Sequence, residues 1–305
     1  MKKLLFLILL FGYLASIGQH SGKEGFKKVN GVELYYKSMG EGEPIMVVHG
    51  GAGLDEGYFH PGIDPLSRKY RVITYDQRGS GRSKGTLDTA RLSVDQYVED
   101  IEGLRKSLGL KKIHLMGHSF GGLLSLLYAT KYPENLQSLI LVGAGGAKDS
   151  TTMPKTAKTV EERTTQADKD TVAKMTAAGY FNTWGGRSKL FPILWKPYVY
   201  DKEKIRLIST SINDSFLFIH KHVGKTFKTS VLFDKLNERL HLVNMPTLIL
   251  HGDFDPLPLS TAELTHQLLK NSKLVILKNC GHFPFIEQQE MFIKVVNDFL
   301  HSTDR

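Results

Sequence analysis

Short apolar runs alternate with amphipathic stretches over the first half of the chain. Runs rich in β-branched, leucine and tyrosine residues predict strands at residues 32–37, 45–49, 70–75, 113–116 and 139–142. Apolar positions at helical spacing predict a helix that Ser93 caps and that runs to Leu108. A second, apolar helix is predicted at residues 121–132, where Pro133 ends it. Strands separated by helices of this size predict right-handed βαβ units and a mainly parallel sheet.

The alternation stops at residues 148–236, which are mostly polar, basic or aromatic, with weak helical signals and no clear strand. It resumes after Pro246 with a strand at 247–251, a helix at 260–270, a strand at 274–277 and a final helix at 287–300. A structureless loop of that length is improbable in a compact domain. The pattern therefore predicts an α/β core at residues 19–147 and 237–305, interrupted by a mostly helical cap at 148–236.

The first eighteen residues have the composition of a targeting segment. Lys2 and Lys3 precede an apolar run at residues 4–14, and small residues follow before Gln19. This pattern is typical of a secretory signal peptide. The alternative is an uncleaved membrane anchor, but a spanning helix needs about 20 apolar residues and this run is shorter. We therefore expect cleavage after Gly18 and export to the periplasm or the medium, with no stable membrane association after cleavage.

Composition and charge narrow the possible partners. The 305 residues are 41% hydrophobic and 23% charged, which excludes a disordered or collagen-like chain. The net charge of +9 invites a nucleic-acid interpretation. No helix gathers lysine and arginine on one face, however, and no nucleic-acid motif is present, so we expect no nucleic-acid partner. The single cysteine, Cys280, excludes an internal disulfide, and no cluster of His, Asp and Glu has ligand spacing, so no metal or cofactor is expected.

The strongest chemical signal is a G-x-S-x-G sequence at residues 117–121, directly after a predicted strand and at the start of a predicted helix. In that context the serine lies on a tight strand-to-helix turn that exposes its hydroxyl above the sheet. Small flanking residues are needed because side chains there would clash with neighbouring strands. Ser119 is therefore the candidate nucleophile; the alternative is a structural Gly/Ser turn.

A serine hydroxyl needs a base, and the base needs an orienting acid. The chain supplies both in the order serine, acid, histidine, each just after a predicted strand: Asp255 after 247–251 and His282 after 274–277. Loops at the carboxyl ends of parallel strands meet at one edge of the sheet. Asp253 is a competing acid, although it is better suited to cap the turn. His118 is expected to pack beside the turn.

A glycine-rich sequence at residues 49–53 follows the predicted strand 45–49. Acyl transfer needs two backbone N–H donors aimed at the oxyanion, and glycines let the main chain approach closely. The N–H groups of Gly51 and Phe120 are the predicted oxyanion donors. The alternative, a phosphate-binding loop, lacks both the Walker pattern and a spaced G-x-G-x-x-G.

Taken together, HGGAG at 49–53, DQRGSGRS at 76–83 and GHSFGG at 117–122 resemble the α/β-hydrolase superfamily and, within it, the proline iminopeptidase-like branch. The resemblance implies Ser119 as nucleophile, Asp255 as acid, His282 as base, and Gly51 and Phe120 as oxyanion donors. Typical members have proline at the position of Ala52 and tryptophan at that of Phe120. Their caps also carry acidic residues that hold the substrate's amino terminus; here Glu161, Glu162 and Glu203 lie in the predicted cap.

The predicted function is that of an exported serine hydrolase acting on a small ester, amide or peptide. A carboxylesterase of the same fold is one alternative, and a non-catalytic binding protein on a hydrolase fold is another. Haloalkane dehalogenases and epoxide hydrolases of this fold use an aspartate nucleophile, so Ser119 argues against both. Aromatic residues of the predicted cap either line an apolar pocket or form the cap's own core: Tyr180, Phe181, Trp184, Phe191, Trp195, Tyr198 and Tyr200.

Overall fold

Eight strands form one twisted sheet in a computed structural model that describes residues 22–85, 88–143, 146–209, 212–226 and 230–303. The strands are β1 (Lys23–Val29), β2 (Val32–Met39), β3 (Pro44–Val48), β4 (Arg71–Tyr75), β5 (Ile113–His118), β6 (Leu136–Val142), β7 (Thr247–Gly252) and β8 (Ser272–Leu277). Their order across the sheet is β1-β2-β4-β3-β5-β6-β7-β8. The β1–β2 and β2–β4 pairs are antiparallel and the remaining pairs are parallel, which confirms the predicted fold class.

Ten helices surround and interrupt this sheet. They are α1 (Val94–Ser107), α2 (Phe120–Lys131), α3 (Thr152–Arg163), α4 (Gln166–Ala177), α5 (Trp184–Leu194), α6 (Phe216–Thr226), α7 (Ser230–Arg239), α8 (Leu259–Leu268), α9 (Pro284–Glu287) and α10 (Gln289–Thr303) within the described residues. Ser93 caps α1 as predicted, because its side chain accepts a hydrogen bond from the N–H of Gln96. Short 3-10 helices connect several of these elements.

The strand period of two distributes side chains between two apolar layers. Along β3, Met46 and Val48 face the layer that contains residues of α1, α2 and α8, whereas Ile45 and Val47 face the layer that contains α10. All four side chains are fully buried. Covering both faces in this way explains why the parallel strands have nearly continuous apolar sequences.

The helical segment between β6 and β7 contains α3 to α7, and its described residues form no strand. This agrees with a helical insertion in the α/β core. The predicted boundaries of the cap, 148 and 236, stay a prediction; α7 continues to Arg239, beyond the second of them.

Two parts of the structure differ from the sequence prediction. Strand β1 was not predicted, because it is an edge strand whose residues are mostly exposed and whose charges mask the alternation. The final helix was predicted as one element from residue 287. Instead, α9 ends at Glu287, Gln288 leaves the helical conformation, and α10 begins at Gln289. The predicted signal peptide lies outside the described residues.

Candidate active site

Ser119 lies on the sharp turn between β5 and α2, with φ of 54° and ψ of −118°. A non-glycine residue at positive φ is strained, and such strain is typical of functional sites. The turn leaves no room for side chains on either flank. A Cβ on Gly117 would lie 2.4 Å from the carbonyl oxygen of Gly121, and one on Gly121 would lie 2.1 Å from that of Val48. These contacts explain the spacing of the two glycines around the serine.

His282 and Asp255 are joined by a hydrogen bond. The distance between His282 Nδ1 and Asp255 Oδ2 is 2.8 Å, and both side chains are buried. The other carboxylate oxygen, Oδ1, accepts the N–H of Leu257 at 2.9 Å. Burial by itself would raise the pKa of Asp255, but the charge and hydrogen bond of His282 outweigh it and keep that pKa below its ordinary value. With Nδ1 engaged, proton transfer by this ring falls to Nε2.

Asp253, the competing acid, points elsewhere. Its Oδ1 accepts the N–H of Cys280 at 3.3 Å, and its Oδ2 lies 3.7 Å from Lys278 Nζ. Asp253 therefore holds the turn that precedes His282, and the structure brings only Asp255 to the imidazole.

The glycine-rich loop that contains Gly51 lies directly against Ser119, the predicted nucleophile. A Cβ on the adjacent Gly50 would lie 2.8 Å from the Cβ of Ser119. The loop is fixed from behind by Gln77, whose N–H donates to His49 Nε2 at 3.0 Å and whose side-chain amide donates to the His49 carbonyl at 2.6 Å. Burial lowers the pKa of His49 to about 4, so the ring stays neutral and Nε2 remains an acceptor.

The charged residues after β4 form buried ion pairs and hydrogen bonds that hold the fold together. Arg78 forms a two-pronged contact with Asp100, with both nitrogen-to-oxygen distances at 2.6 Å. Asp76 accepts the N–H groups of Glu56 and Arg82 at 3.0 and 2.7 Å. These buried pairs fix the segment that supports the glycine-rich loop.

Glu287 is a residue of the site that sequence reasoning missed. Its buried carboxylate accepts the N–H groups on both sides of His282, from Gly281 at 3.0 Å and Phe283 at 3.2 Å. It also accepts the N–H of Tyr200, in the helical segment, at 2.7 Å. The only sequence signal was an acidic residue in an apolar stretch shortly after the candidate base.

The helical segment contacts the site at several points. The N–H of His282 donates to the Tyr198 carbonyl at 2.7 Å, and the Tyr198 ring lies 5.6 Å from that of His282. Arg163 of α3 donates to the carbonyl of Phe254 at 2.6 Å and lies over its ring. The loops that carry Asp255 and His282 are therefore both attached to this segment.

Of the aromatic residues predicted to lie in the cap, some form its core and others do not. Phe191 and Trp195 are buried, and Trp195 packs edge-on against Phe283, the neighbour of His282. Trp184 and Tyr200 are exposed.

The predicted acidic candidates of the helical segment are also exposed. Glu161 keeps 76% of its side-chain surface and lies 3.6 Å from Lys169, and Glu162 lies 3.7 Å from Lys158. Glu203 is exposed in a 3-10 helix.

Comparison with known proteins assigns the chain to a family. A family model described as alpha/beta hydrolase fold matches residues 43–289. The chain belongs to the α/β-hydrolase fold family. This α/β-hydrolase is 28% identical to a proline iminopeptidase of Saccharolobus solfataricus, over 97% of this chain and 96% of the relative. It is 26% identical to a proline iminopeptidase of Clostridioides difficile, over 92% of this chain and 99% of the relative.

Solved structures agree with this assignment. The α/β-hydrolase superposes on a meta-cleavage product hydrolase from Pseudomonas fluorescens IP01 with a TM-score of 0.69 and 26% identity, covering 91% of this chain and 97% of that one. For the 2-hydroxy-6-oxo-6-phenylhexa-2,4-dienoate hydrolase of a Rhodococcus strain the TM-score is 0.72 at 20% identity, covering 92% of this chain and 99% of that one. The second likeness concerns the fold alone.

Within the described residues, no helix is both long and apolar enough to cross a bilayer. A search of the same residues finds no group of three or more His, Cys, Asp or Glu side chains placed to hold a metal ion.

Proposed function

We propose that this protein is a serine hydrolase that cleaves short peptides or small amides through an acyl-enzyme, with Ser119, His282 and Asp255 as its triad. The hydrogen bond between His282 Nδ1 and Asp255 Oδ2, at the same edge of the sheet as the strained turn of Ser119, carries the proposal. The similarity to proline iminopeptidases supports a substrate with a free amino-terminal residue.

The proposed reaction follows from the roles of these groups. Ser119 Oγ attacks the scissile carbonyl carbon while its proton passes to His282 Nε2, and the carbonyl oxygen becomes an oxyanion. The N–H groups of Gly51 and Phe120 stabilise that charge. The imidazolium, stabilised by Asp255, then protonates the leaving amine as the bond to it breaks. Water attacks the resulting ester by the same route and releases the acid product and free Ser119.

We further propose that the helical segment is a cap that covers the pocket and selects the substrate. Its contacts with the loops of His282 and Asp255 support this role, as does Phe216 of α6, which lies 3.0 Å from the position of a Cβ on Gly53 in the glycine-rich loop. Pockets enclosed in this way are mostly apolar with few polar groups. The proposal predicts that the cap, rather than the core, sets substrate preference.

A carboxylesterase is the second candidate. It is favoured by the exposure of Glu161, Glu162 and Glu203, since a substrate with a charged amino terminus needs a carboxylate close to the scissile bond. An ester without a charged end has no such requirement.

Labelling with a fluorophosphonate probe tests the nucleophile. We expect rapid labelling of the native chain and none of Ser119→Ala, because phosphonylation requires the activated hydroxyl. Ser302→Ala, an exposed serine near the end of α10, is the matched control and should label like the native chain. Labelling that survives in Ser119→Ala would place the nucleophile elsewhere. Failure of the native chain to label would favour a non-catalytic binding protein.

Paired substrates then separate the two candidate activities. We expect turnover of an N-terminal prolyl arylamide by the native chain, measured beside a short p-nitrophenyl ester. Ester turnover without arylamide turnover would reject the peptidase and leave the carboxylesterase. Ser119→Ala provides the blank for both assays.

A further inference from the structure

We propose that Tyr58 and His118 are positioning residues that lock the glycine-rich loop to the loop that carries His282. The inference rests on the proposed function, because it concerns how the triad and the oxyanion donors are held in place. It is carried by an unbroken chain of three buried hydrogen bonds that runs from the main chain beside Gly51 to the main chain of His282 itself.

This series of hydrogen bonds begins at the glycine-rich loop. The N–H of Gly50, next to the proposed oxyanion donor Gly51, donates to the hydroxyl oxygen of Tyr58. The same oxygen lies 2.8 Å from His118 Nδ1. His118 Nε2 in turn lies 2.7 Å from the carbonyl oxygen of His282. Tyr58 and His118 are each only 2% exposed, so no competing solvent is available to either polar group.

The direction of each proton is determined by its partners. A carbonyl oxygen only accepts, so His118 Nε2 carries the proton that it donates to His282. Burial, followed by the charge on His282, holds the pKa of His118 well below its ordinary value, so the ring is neutral and Nδ1 is an acceptor. Tyr58 must therefore donate its own hydroxyl proton to Nδ1, which leaves its oxygen lone pairs to accept from Gly50.

Aromatic rings enclose these three hydrogen bonds and hold Tyr58 and His118 rigidly. The Tyr58 ring packs against Phe59 and Phe285, with centroids 4.6 and 6.0 Å away. The His118 ring lies 4.7 Å from that of His282 and 5.1 Å from that of Phe285. The neutral His118 ring keeps its hydrogen-bond directions while its neighbour His282 gains and loses a proton.

Asp255 and His118 therefore hold two different parts of His282. Asp255 orients the imidazole through Nδ1, whereas His118 fixes the backbone carbonyl of the same residue. Because His118 immediately precedes Ser119, the nucleophile, the base and the oxyanion donor share one rigid support. A misplacement of about 1 Å in such an assembly can cost on the order of 100-fold in rate.

Two substitutions of His118 divide the chain of hydrogen bonds into halves. The amide of His118→Gln can reach the Nε2 position and donate to His282, but it loses the bond from Tyr58. The amide of His118→Asn can accept from Tyr58 at the Nδ1 position, but it no longer reaches the carbonyl of His282. Tyr58→Phe removes the hydroxyl from both partners. Tyr75→Phe is the matched control, since the buried hydroxyl of Tyr75 has no hydrogen-bond partner among the described residues.

The readout is the saturation kinetics of fluorophosphonate labelling, which is independent of the natural substrate. We expect the limiting rate to fall roughly 10- to 100-fold in His118→Asn and Tyr58→Phe, with half-saturating probe concentration unchanged. His118→Gln should recover part of the rate lost in His118→Asn, because it keeps the bond to His282 but still breaks the bond from Tyr58, and Tyr75→Phe should label like the native chain. Melting temperatures measured in parallel identify any variant that has lost its fold.

The outcomes are distinguishable. Native-like rates in His118→Asn and Tyr58→Phe, with a labelled native chain, would overturn the positioning role and leave the proposed function intact. Equal losses in His118→Asn and His118→Gln that follow their melting temperatures would reduce the role to structural packing. If the native chain does not label at all, the proposed function fails, and the positioning role of Tyr58 and His118 fails with it.

The proton arrangement has its own test in solution. Long-range ¹⁵N–¹H spectra, assigned by the signal lost in His118→Gln, should show His118 as a neutral ring protonated on Nε2 throughout pH 5.5 to 8. A His118 ring protonated on Nδ1, or one that titrates in this range, would contradict the proposed hydrogen-bond arrangement.

Discussion

The carboxylate of Glu287 shows how one buried side chain can hold the loop of a proposed catalytic residue, His282. Three backbone N–H groups converge on it, two of which flank His282. Burial raises its pKa despite these donors. Removing the charge while keeping the size therefore tests how far the base depends on this anchor.

We expect Glu287→Gln to destabilise the protein by about 1–3 kcal/mol. The amide nitrogen of the new side chain must face a backbone N–H, and it cannot accept a hydrogen bond from that donor. The rate of fluorophosphonate labelling should fall as well, since the loop of His282 loses its fixed geometry. Denaturant unfolding and labelling kinetics measure the two effects. Glu290→Gln, an exposed residue of α10, is the control. Equal behaviour of the two variants would remove Glu287 from the support of the site.

At this scale the sequence indicated the groups with a distinctive local pattern. Ser119 was predicted from its motif, and Asp255 was preferred to Asp253 because Asp253 was expected to cap the turn. Tyr58 and Glu287 have no such pattern, because the contact of Tyr58 with His118 and that of Glu287 with the N–H of Tyr200 join residues 60 and 87 positions apart. No spacing along the chain reveals a contact that only the folded sheet creates.

The segment between β3 and β4 illustrates the next scale. Two 3-10 helices, Glu56–Phe59 and Asp64–Arg68, are joined through His60, whose ring contacts Asp64 and lies 2.8 Å from Glu56. Burial alone would lower the pKa of His60, but its hydrogen bonds to Asp64 and Glu56 outweigh burial and raise that pKa to about 9.

The raised pKa predicts a pH dependence of stability. The contribution of charged His60 is fully present below about pH 6.5, its unfolded pKa, and is lost as pH rises through about 9. The difference in unfolding free energy between the native chain and His60→Gln should therefore shrink by up to about 3 kcal/mol over this range. Denaturant titrations at several pH values measure it, with exposed His301→Gln as control. A difference that does not change from pH 6 to 9.5 would show that the ring is not charged in the folded state.

Elements with a strong apolar period were predictable, and those held by tertiary contacts were not. The parallel strands and α1 lie where the sequence pattern placed them, because burial on one or both faces determines their composition. The exposed edge strand β1 lacks that constraint. The break at Gln288, which lies between α9 and α10, is not marked in the helical periodicity of the surrounding residues.

Over the whole molecule, the least predictable part is the helical segment, and it is attached to the core where the chemistry is proposed. Its contacts reach the backbone of His282 and the loop of Asp255 through Tyr198 and Arg163. The weak helical signals of this segment have a physical cause. Helix α4, for example, buries none of its residues, so no apolar stripe marks it in the sequence.

The N-terminal part of the described chain is relevant to the proposed export. The first strand of the described residues begins at Lys23, five residues after the predicted cleavage position at Gly18. Every described element therefore lies within the chain that would remain after cleavage. The sole cysteine, Cys280, is buried, which suits an oxidising compartment because no exposed thiol of the described chain is offered for mispairing.

Expression of the full chain in a bacterial host with a cleavable-export pathway tests this proposal. We expect the protein in the periplasmic fraction with Gln19 as its first residue, because small side chains at Ser16 and Gly18 permit signal peptidase cleavage. Gly18→Arg should retain the uncleaved chain, whereas a chain starting at Gln19 should stay in the cytoplasm with the same melting temperature as the processed protein. Intact mass spectrometry of each fraction measures all three. An unprocessed native chain in the cytoplasm would reject export and would assign residues 1–18 another role.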